Sequence, residues 1–257
     1  MSDKVKLVYL NLVDQDATII TASTEDAFYR ASNLKDPRTT KKFRTTATSG
    51  NVVFDFITTE AVDTIMVRGD ALSGRGFTGT LTVEANATDS WGSPAYTSTL
   101  TFSDDNNIGF NVLTSDESYR YWRIVGSGTS YLELSNICIG KSFIPGKNMG
   151  NNFSYEQRDL SSSETNAYGQ EFFIERNTRD HAKLAFKFLT VAELDSFITM
   201  LAATGKTKPI WMIPDNAAFF SPDKYVFSSQ FYFKKRPPYR HSIKGLWSLT
   251  LDLAEVI

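Results

Sequence analysis

Apolar and polar positions alternate with a period of two through most of the first half of the chain. Val52, Phe54 and Phe56 alternate with Val53 and Asp55, and 62–67, 79–84, 119–124 and 131–139 are similar runs rich in β-branched and aromatic residues. Side chains of a strand point alternately to opposite faces, so each run predicts a short strand with a buried face. Clusters of Gly, Asn, Asp and Ser at 48–51, 72–76 and 103–107 separate the runs, as turns require. A short helical or turn-like piece is expected over 25–34. Many short strands without a long helix predict an antiparallel β-sandwich, not a fold of alternating strands and helices.

Beyond a polar, glycine-rich stretch at 145–153, read as a linker, the pattern changes. Strands are expected at 172–176 and 182–188, the second placing Leu184, Phe186 and Phe188 on one face. A helix is expected over 190–203. Thr190 and Glu193 make a capping box, in which each satisfies a free backbone donor at the helix start. Val191, Leu194, Phe197, Ile198 and Leu201 share one side, and Gly205 supplies the stop. Strands at 209–213, 225–233 and 246–256 follow. In the last, Trp247, Leu249, Leu251 and Leu253 alternate with Ser248, Thr250 and Asp252. The expected fold class is mainly β, with an antiparallel β-sandwich over 1–144, the linker 145–153, and a β-rich α+β domain with one packed helix over 154–257.

The 257 residues are enough to bury two cores. A formal net charge of −2 shows no excess of positive charge for phosphate backbones or anionic lipid, so no nucleic-acid partner is expected, and no apolar stretch is long enough to span a bilayer, so no membrane insertion is expected. The first residues lack the apolar core of a secretory signal, which predicts synthesis in the cytoplasm without a signal peptide. The single cysteine, Cys138, excludes an internal disulfide and reads as a small buried residue of a strand.

Motifs that carry chemistry fail on their context. Gly74, Gly76 and Gly79 fit G-x-G-x-x-G, but the loop runs into a strand where a dinucleotide site needs a helix. Arg68, Gly69 and Asp70 spell an adhesion tripeptide at the end of a strand and are set aside. His181 and His241 have no metal-ligand spacing, and no Gly-x-Ser-x-Gly elbow is present. The acidic pairs Asp104–Asp105 and Asp116–Glu117 sit in polar turns and read as solvated loop tips rather than catalytic carboxylates. No catalytic residue, cofactor or metal is expected, and the chain is read as non-enzymatic.

The strongest charge feature is the segment 234–244, with Lys234, Lys235, Arg236, Tyr239, Arg240 and Lys244. It has three readings: a solvated hairpin connection, a contact loop for an acidic neighbour whose prolines limit the ordering entropy of docking, or a nucleic-acid contact, which the acidic overall balance disfavours. Aromatic residues make up 13% of the chain. Among them Trp91, Tyr96 and Tyr119 are candidates for stacking on sugar rings, and core packing is an equal alternative for each.

Two parts of the sequence resemble known families. The segment 29–34, then 52–56, 62–67, 121–124 and 137–140 in that order, resembles the galactose-binding-like (discoidin-type) jelly roll over 1–144. That fold commonly binds sugars through loops at one end, and many members are purely structural. The second half, through 169–174, 184–188, 193–197, Gly205, 209–211 and the closing strand with Glu255, resembles the hub domain of bacteriophage distal-tail and baseplate proteins. The resemblance implies a virion structural protein of the tail tip or baseplate. Its hub domain would form a homo-oligomeric ring, a trimer or hexamer, and its sandwich would connect the tail to other baseplate proteins or fibres. The segment 234–244 then becomes an inter-subunit contact. The alternative is a carbohydrate-binding protein that recognises a bacterial surface glycan.

Overall fold

The computed structural model describes residues 4–69, 79–103, 108–128, 131–146, 153–214, 229–243 and 245–256. The chain is mainly antiparallel β-sheet, with one α-helix among the described residues, and it forms two compact units. The glycine motif at 74–78, Asp70, the pair Asp104–Asp105, most of the expected linker (147–152), residues 225–228 of an expected strand and Lys244 lie outside the described residues.

The first unit contains β1 (Lys6–Asn11), β2 (Ile19–Ala22), a 3-10 helix (Ala31–Lys35), β3 (Phe43–Arg44), β4 (Ser49–Gly69), β5 (Gly79–Asn86), β6 (Tyr96–Ser103), β7 (Ile108–Gly128) and β8 (Glu133–Phe143). β4 and β7 have 21 residues each and run paired around a corner. The register slips between Asp55 and Glu60 and again between Val62 and Thr64. Before the corner β4 pairs with β2 and with 121–127 of β7; beyond it β4 pairs with 108–112 of β7 and with β8. The same two strands thus feed two leaves, and strands that change sheet at bulges are how such corners are made.

The corner is strapped electrostatically. Ile57 adopts φ 66°, a conformation β-branched residues avoid, and its amide donates to Asp55 Oδ1 at 2.8 Å. Arg120 donates to both Asp55 oxygens, at 2.7 and 2.9 Å. The Arg120 guanidinium, helped by the Ile57 amide, holds the Asp55 carboxyl below its usual range.

The core lies between the leaves. Val52, Phe54, Leu81, Val83, Trp122 and Ile124 from one meet Ile65, Val67, Ile137 and Ile139 from the other. Trp122 is fully buried between Tyr96 and Tyr119, whose ring centroids stand 5.8 and 6.3 Å away, and its indole N–H donates to the Tyr119 carbonyl at 3.2 Å. β8 is buried on both faces from Glu133 to Gly140. Its Cys138 joins Val8, Met66, Ile108, Trp211 and Ile213 in a second apolar cluster, and burial pushes the thiol well above its ordinary pKa.

Trp211 and Ile213 belong to β13 (Ile210–Ile213), a strand that sequence places in the second domain. Residues 211–213 instead pair with β1, Val8 opposite Trp211 and Lys6 opposite Ile213, and group with the first unit. All four residues of β13 are buried. A run apolar on both faces suits a strand covered on both sides, which an amphipathic edge strand is not.

The second unit contains β9 (Ser154–Asp159), β10 (Ser162–Thr165), β11 (Glu171–Ile174), β12 (Thr178–Leu189), α1 (Val191–Thr204), β14 (Ser229–Phe233), β15 (Tyr239–Ile243) and β16 (Leu246–Glu255). β16 is flanked by β12 on one side and by β14 and β15 in succession on the other; β9 adds to the far edge of β12. In α1 the capping box forms: the Glu193 amide donates to Thr190 Oγ1 at 3.3 Å, and the Thr190 amide donates to Glu193 Oε2 at 2.7 Å. Leu194, Phe197, Met200 and Leu201 are buried, with the Phe197 ring tilted against Phe186, 4.9 Å between centroids. Val191, in the first turn, stays exposed, and Met200 completes the buried stripe in its place.

Phe188 does not join Leu184 and Phe186. The register slips between Phe186 and Leu189 and Phe188 takes φ 59°, so Phe188 turns out and Leu189 turns in. A bulge moves every later side chain to the opposite face, and no alternating pattern announces it.

Candidate functional site

Three surface features carry interaction chemistry. The first is an arm. Among the described residues β10 and β11 pair only with each other, in register from Ser162 opposite Ile174 to Thr165 opposite Glu171. Asn166 closes the hairpin: its Oδ1 accepts from the Tyr168 amide at 3.0 Å and the Gln170 amide at 2.9 Å, and Gly169 supplies φ 78°. Every residue of both strands is exposed. Phe173 is 77% exposed, Phe172 55%, Ile174 41% and Tyr168 at the tip 92%. Phe172 and Phe173 follow one another in a strand, so they point to opposite faces and no single packing surface hides both. Sequence predicts a strand at 172–176, and the structure forms it at Glu171–Ile174 as half of this exposed hairpin. Three consecutive apolar residues without a polar alternate are the signal that one-sided burial would not serve here.

The second feature is a basic groove. The connection between β14 and β15 leaves the edge of β16 and forms one wall of a groove of about 400 Å³. The period-two pattern of β12 turns Leu184 and Phe186 inward and Lys183 and Lys187 out, onto the same face as Thr250 and Asp252, which lie across from Ala185 and Lys183. Lys235 and Arg240 close the far side. Among the described residues Asp252 is the one acid lining it, and it faces Lys234 Nζ at 3.9 Å. Among the described residues Lys183, Lys187, Lys235 and Arg240 form no ion pair.

Of the residues singled out in 234–244, Lys235 and Arg240 therefore line the groove, and Lys234 neighbours it through Asp252. Arg236 is exposed, and Tyr239 is half exposed with its edge against Trp247, 6.1 Å between centroids. Lys183 and Lys187 were not singled out, although their alternation with Leu184 and Phe186 marks a wet face.

The third feature lies in the first unit, on the loop after β5. Trp91 is half-buried; its indole N–H donates to Asp89 at 2.6 Å and the Arg123 guanidinium stacks over its ring at 4.4 Å. Arg123 is fixed in turn by Glu84, directly across the ladder, at 2.5 Å. Tyr96 and Tyr119 stand apart from this loop feature, half-buried against Trp122. The structure thus places two of the three candidate stacking residues in core support.

Other candidate groups are tied up in the fold. Asp116 pairs with Lys141 at 2.5 Å on the surface. His181 is buried across from Glu156 and Ala254, while His241 lies with its edge against Trp247 at 5.0 Å. Asp180 and Glu255 share one hydrogen-bonded cluster. The Asp180 amide donates to Glu255 Oε2 at 3.3 Å, Tyr155 donates to Asp180, and Arg179 donates to the Glu255 carbonyl at 2.7 Å. These contacts stitch β9, β12 and β16 together. Among the described residues no three acidic, histidine or cysteine side chains are grouped to hold a metal ion. No helix among them is long and apolar enough to cross a membrane.

No family model matches the chain, and no curated protein matches it. Among solved structures it is similar to a family 32 carbohydrate-binding module from Clostridium perfringens NanJ in complex with galactose, at 11% identity and TM-score 0.43, over 52% of this chain and 98% of the module. A Streptococcus pneumoniae fucose-binding module gives 11% identity and TM-score 0.44, over 51% and 98%. A chitosan-binding module from a Paenibacillus chitosanase/glucanase gives 18% identity and TM-score 0.40, over 51% and 99%. The tail-tip resemblance of the second half finds no counterpart among these structures.

Proposed function

We propose that the chain is a non-enzymatic structural protein of a bacteriophage tail tip or baseplate, joined to copies of itself and to neighbouring tail proteins through the β10–β11 arm. The arm carries the reading. A two-stranded hairpin is marginal by itself in water, and an apolar cluster exposed on both its faces is the mark of a segment that is covered in an assembly. Ring closure of a repeated contact would cover every arm at once. The tail-tip setting comes from the second-half sequence resemblance, and the arm supplies the physical means of joining.

The test is the mass of the full chain in solution by sedimentation and native mass spectrometry, with imaging for rings. The wild type is expected to form a closed oligomer. Replacing Phe172 and Phe173 together by serine is expected to weaken association by about 30-fold or more, as loss of an aromatic anchor does, without changing the circular dichroism. A wild type that stays monomeric at high micromolar concentration overturns the proposal.

A second reading, recognition of a surface glycan by the first unit, is favoured by the Trp91 feature. A ring held by Asp89 and Arg123, beside charged groups able to bind hydroxyls, is an organised platform for a sugar. Screening the chain on a glycan array, then titrating hits by calorimetry, tests it. Trp91→Ala is expected to weaken binding about tenfold or more, a loss of about 1.4 kcal/mol. No hit, or unchanged affinity in the variant, removes this reading.

A further inference from the structure

We infer that the arm of one copy docks into the basic groove of the next, giving a head-to-tail contact. This rests on the assembly reading above and names the two surfaces that meet. Three observations on the second unit carry it.

The first is charge. Between Ser162 and Ile174 the arm has two ionisable acids, Glu164 and Glu171, and no lysine or arginine; Glu175 and Arg176 follow directly. Among the described residues none of the three acids forms an ion pair. The groove presents the complement, Lys183, Lys187, Lys235 and Arg240 against Asp252 alone, its four cations likewise without an ion pair among the described residues. Like charges left facing one another across an open groove repel, and an acidic insert relieves that repulsion while steering encounter.

The second is position. The arm leaves the body at the N-terminal end of β12, whereas the groove flanks the stretch from Lys183 to Lys187 toward its other end. β9, which leads into the arm, is paired to β12 from Thr178 to Lys183 and fixes the root of the hairpin there. The arm root at Thr178 and the groove along Lys183 to Lys187 are therefore different places on one strand, as a contact between two different surfaces of successive copies requires. A contact of two different surfaces closes into a ring when the rotation allows and otherwise continues as a filament.

The third is form. The wall of the groove is a proline-braced connection, Lys234 to Pro238, that interrupts the pairing of β16 between Phe233–Leu253 and Tyr239–Leu249. Phe172 and Ile174 share the face that carries Glu164, so the same side of the arm offers both apolar area and charge.

Charge reversal on the full chain tests this. A groove variant, Lys183→Glu with Lys187→Glu and Lys235→Glu, and an arm variant, Glu164→Lys with Glu171→Lys, are each expected to weaken self-association at least about tenfold, and the wild-type association is expected to weaken with added salt. Mixing the two variants is expected to restore co-assembly, because each then offers the surface the other has lost. Retained circular dichroism and melting temperature show that the variants are folded. If the wild type assembles and the groove variant assembles equally well, the arm docks elsewhere and this inference falls while the assembly reading stands. If both variants are weakened but the mixture stays dissociated, arm and groove do not meet. If the wild type is monomeric, both fall.

Discussion

Trp122→Ala is expected to destabilise the first unit by about 3–5 kcal/mol, the range for deleting a fully buried aromatic side chain. The indole occupies the middle of the sandwich, with Tyr96 and Tyr119 against its rim and Phe54 across the ladder on β4. Both leaves lean on it, so neither is free to collapse into the space it leaves. The variant also frees the Tyr119 carbonyl, which accepts the indole N–H at 3.2 Å. Domains of this size are stable by about 5–15 kcal/mol, so the loss removes a large share of the total. Urea denaturation followed by far-ultraviolet circular dichroism measures it. Trp122→Phe is expected to recover more than half of the loss, because a smaller aromatic ring refills most of the space. A cost below about 1 kcal/mol for Trp122→Ala would show that the unit is not centred on this residue.

The fold class was readable because the period-two pattern maps directly onto the pleat. Val52, Phe54 and Phe56 are buried, as alternation predicts, and so are Leu249, Leu251 and Leu253. The single helix was readable for a different reason: its cap is local, Thr190 and Glu193 being three residues apart, and needs no tertiary information. Non-local features were not. Strands β4 and β7 continue through a corner where sequence shows only separate runs, because the bulge between Asp55 and Glu60 is set by pairing and by Arg120, distant in sequence. The fate of Phe188 was hidden in the same way, decided by a register slip against Trp247.

Of the candidate site, sequence found the charge and missed its company. Lys235 and Arg240 stand out in a basic segment, but the groove they line is completed by Lys183 and Lys187, whose place is fixed by the pairing of β12 with β16. Trp91 was picked out with Tyr96 and Tyr119 as exposed aromatics. Composition cannot tell a ring on a loop above Arg123 from rings wedged beside Trp122. The arm was missed because an apolar run such as 172–174 reads as core until its strand is seen to pair with nothing but its own hairpin.

Gly140→Ala is expected to cost about 3 kcal/mol, a large loss for the addition of one methyl group. Gly140 lies where β8 pairs with both β1 and β4, opposite Asn11 and Thr64. β1 has a register slip between Val8 and Leu10, which brings the Leu10 carbonyl over β8, so a Cβ on residue 140 would stand 2.3 Å from that oxygen. The obstacle is backbone, and it cannot rotate away as a side chain can. Moving it strains the contacts that end β1: Asn11 Nδ2 donates to the Ile137 carbonyl at 2.9 Å, and Asn11 Oδ1 accepts the amides of Ile139 at 3.1 Å and Val13 at 3.2 Å. Either the carbonyl or this knot of hydrogen bonds has to give, and leaving buried backbone groups unpaired is itself costly. Gly92→Ala is the matched control, because a Cβ there meets nothing within 4 Å. It is expected to change stability by less than about 0.5 kcal/mol. Thermal and urea denaturation of the two variants beside the wild type decide the matter; equal, small effects would mean that β1 does not cross β8 at this distance.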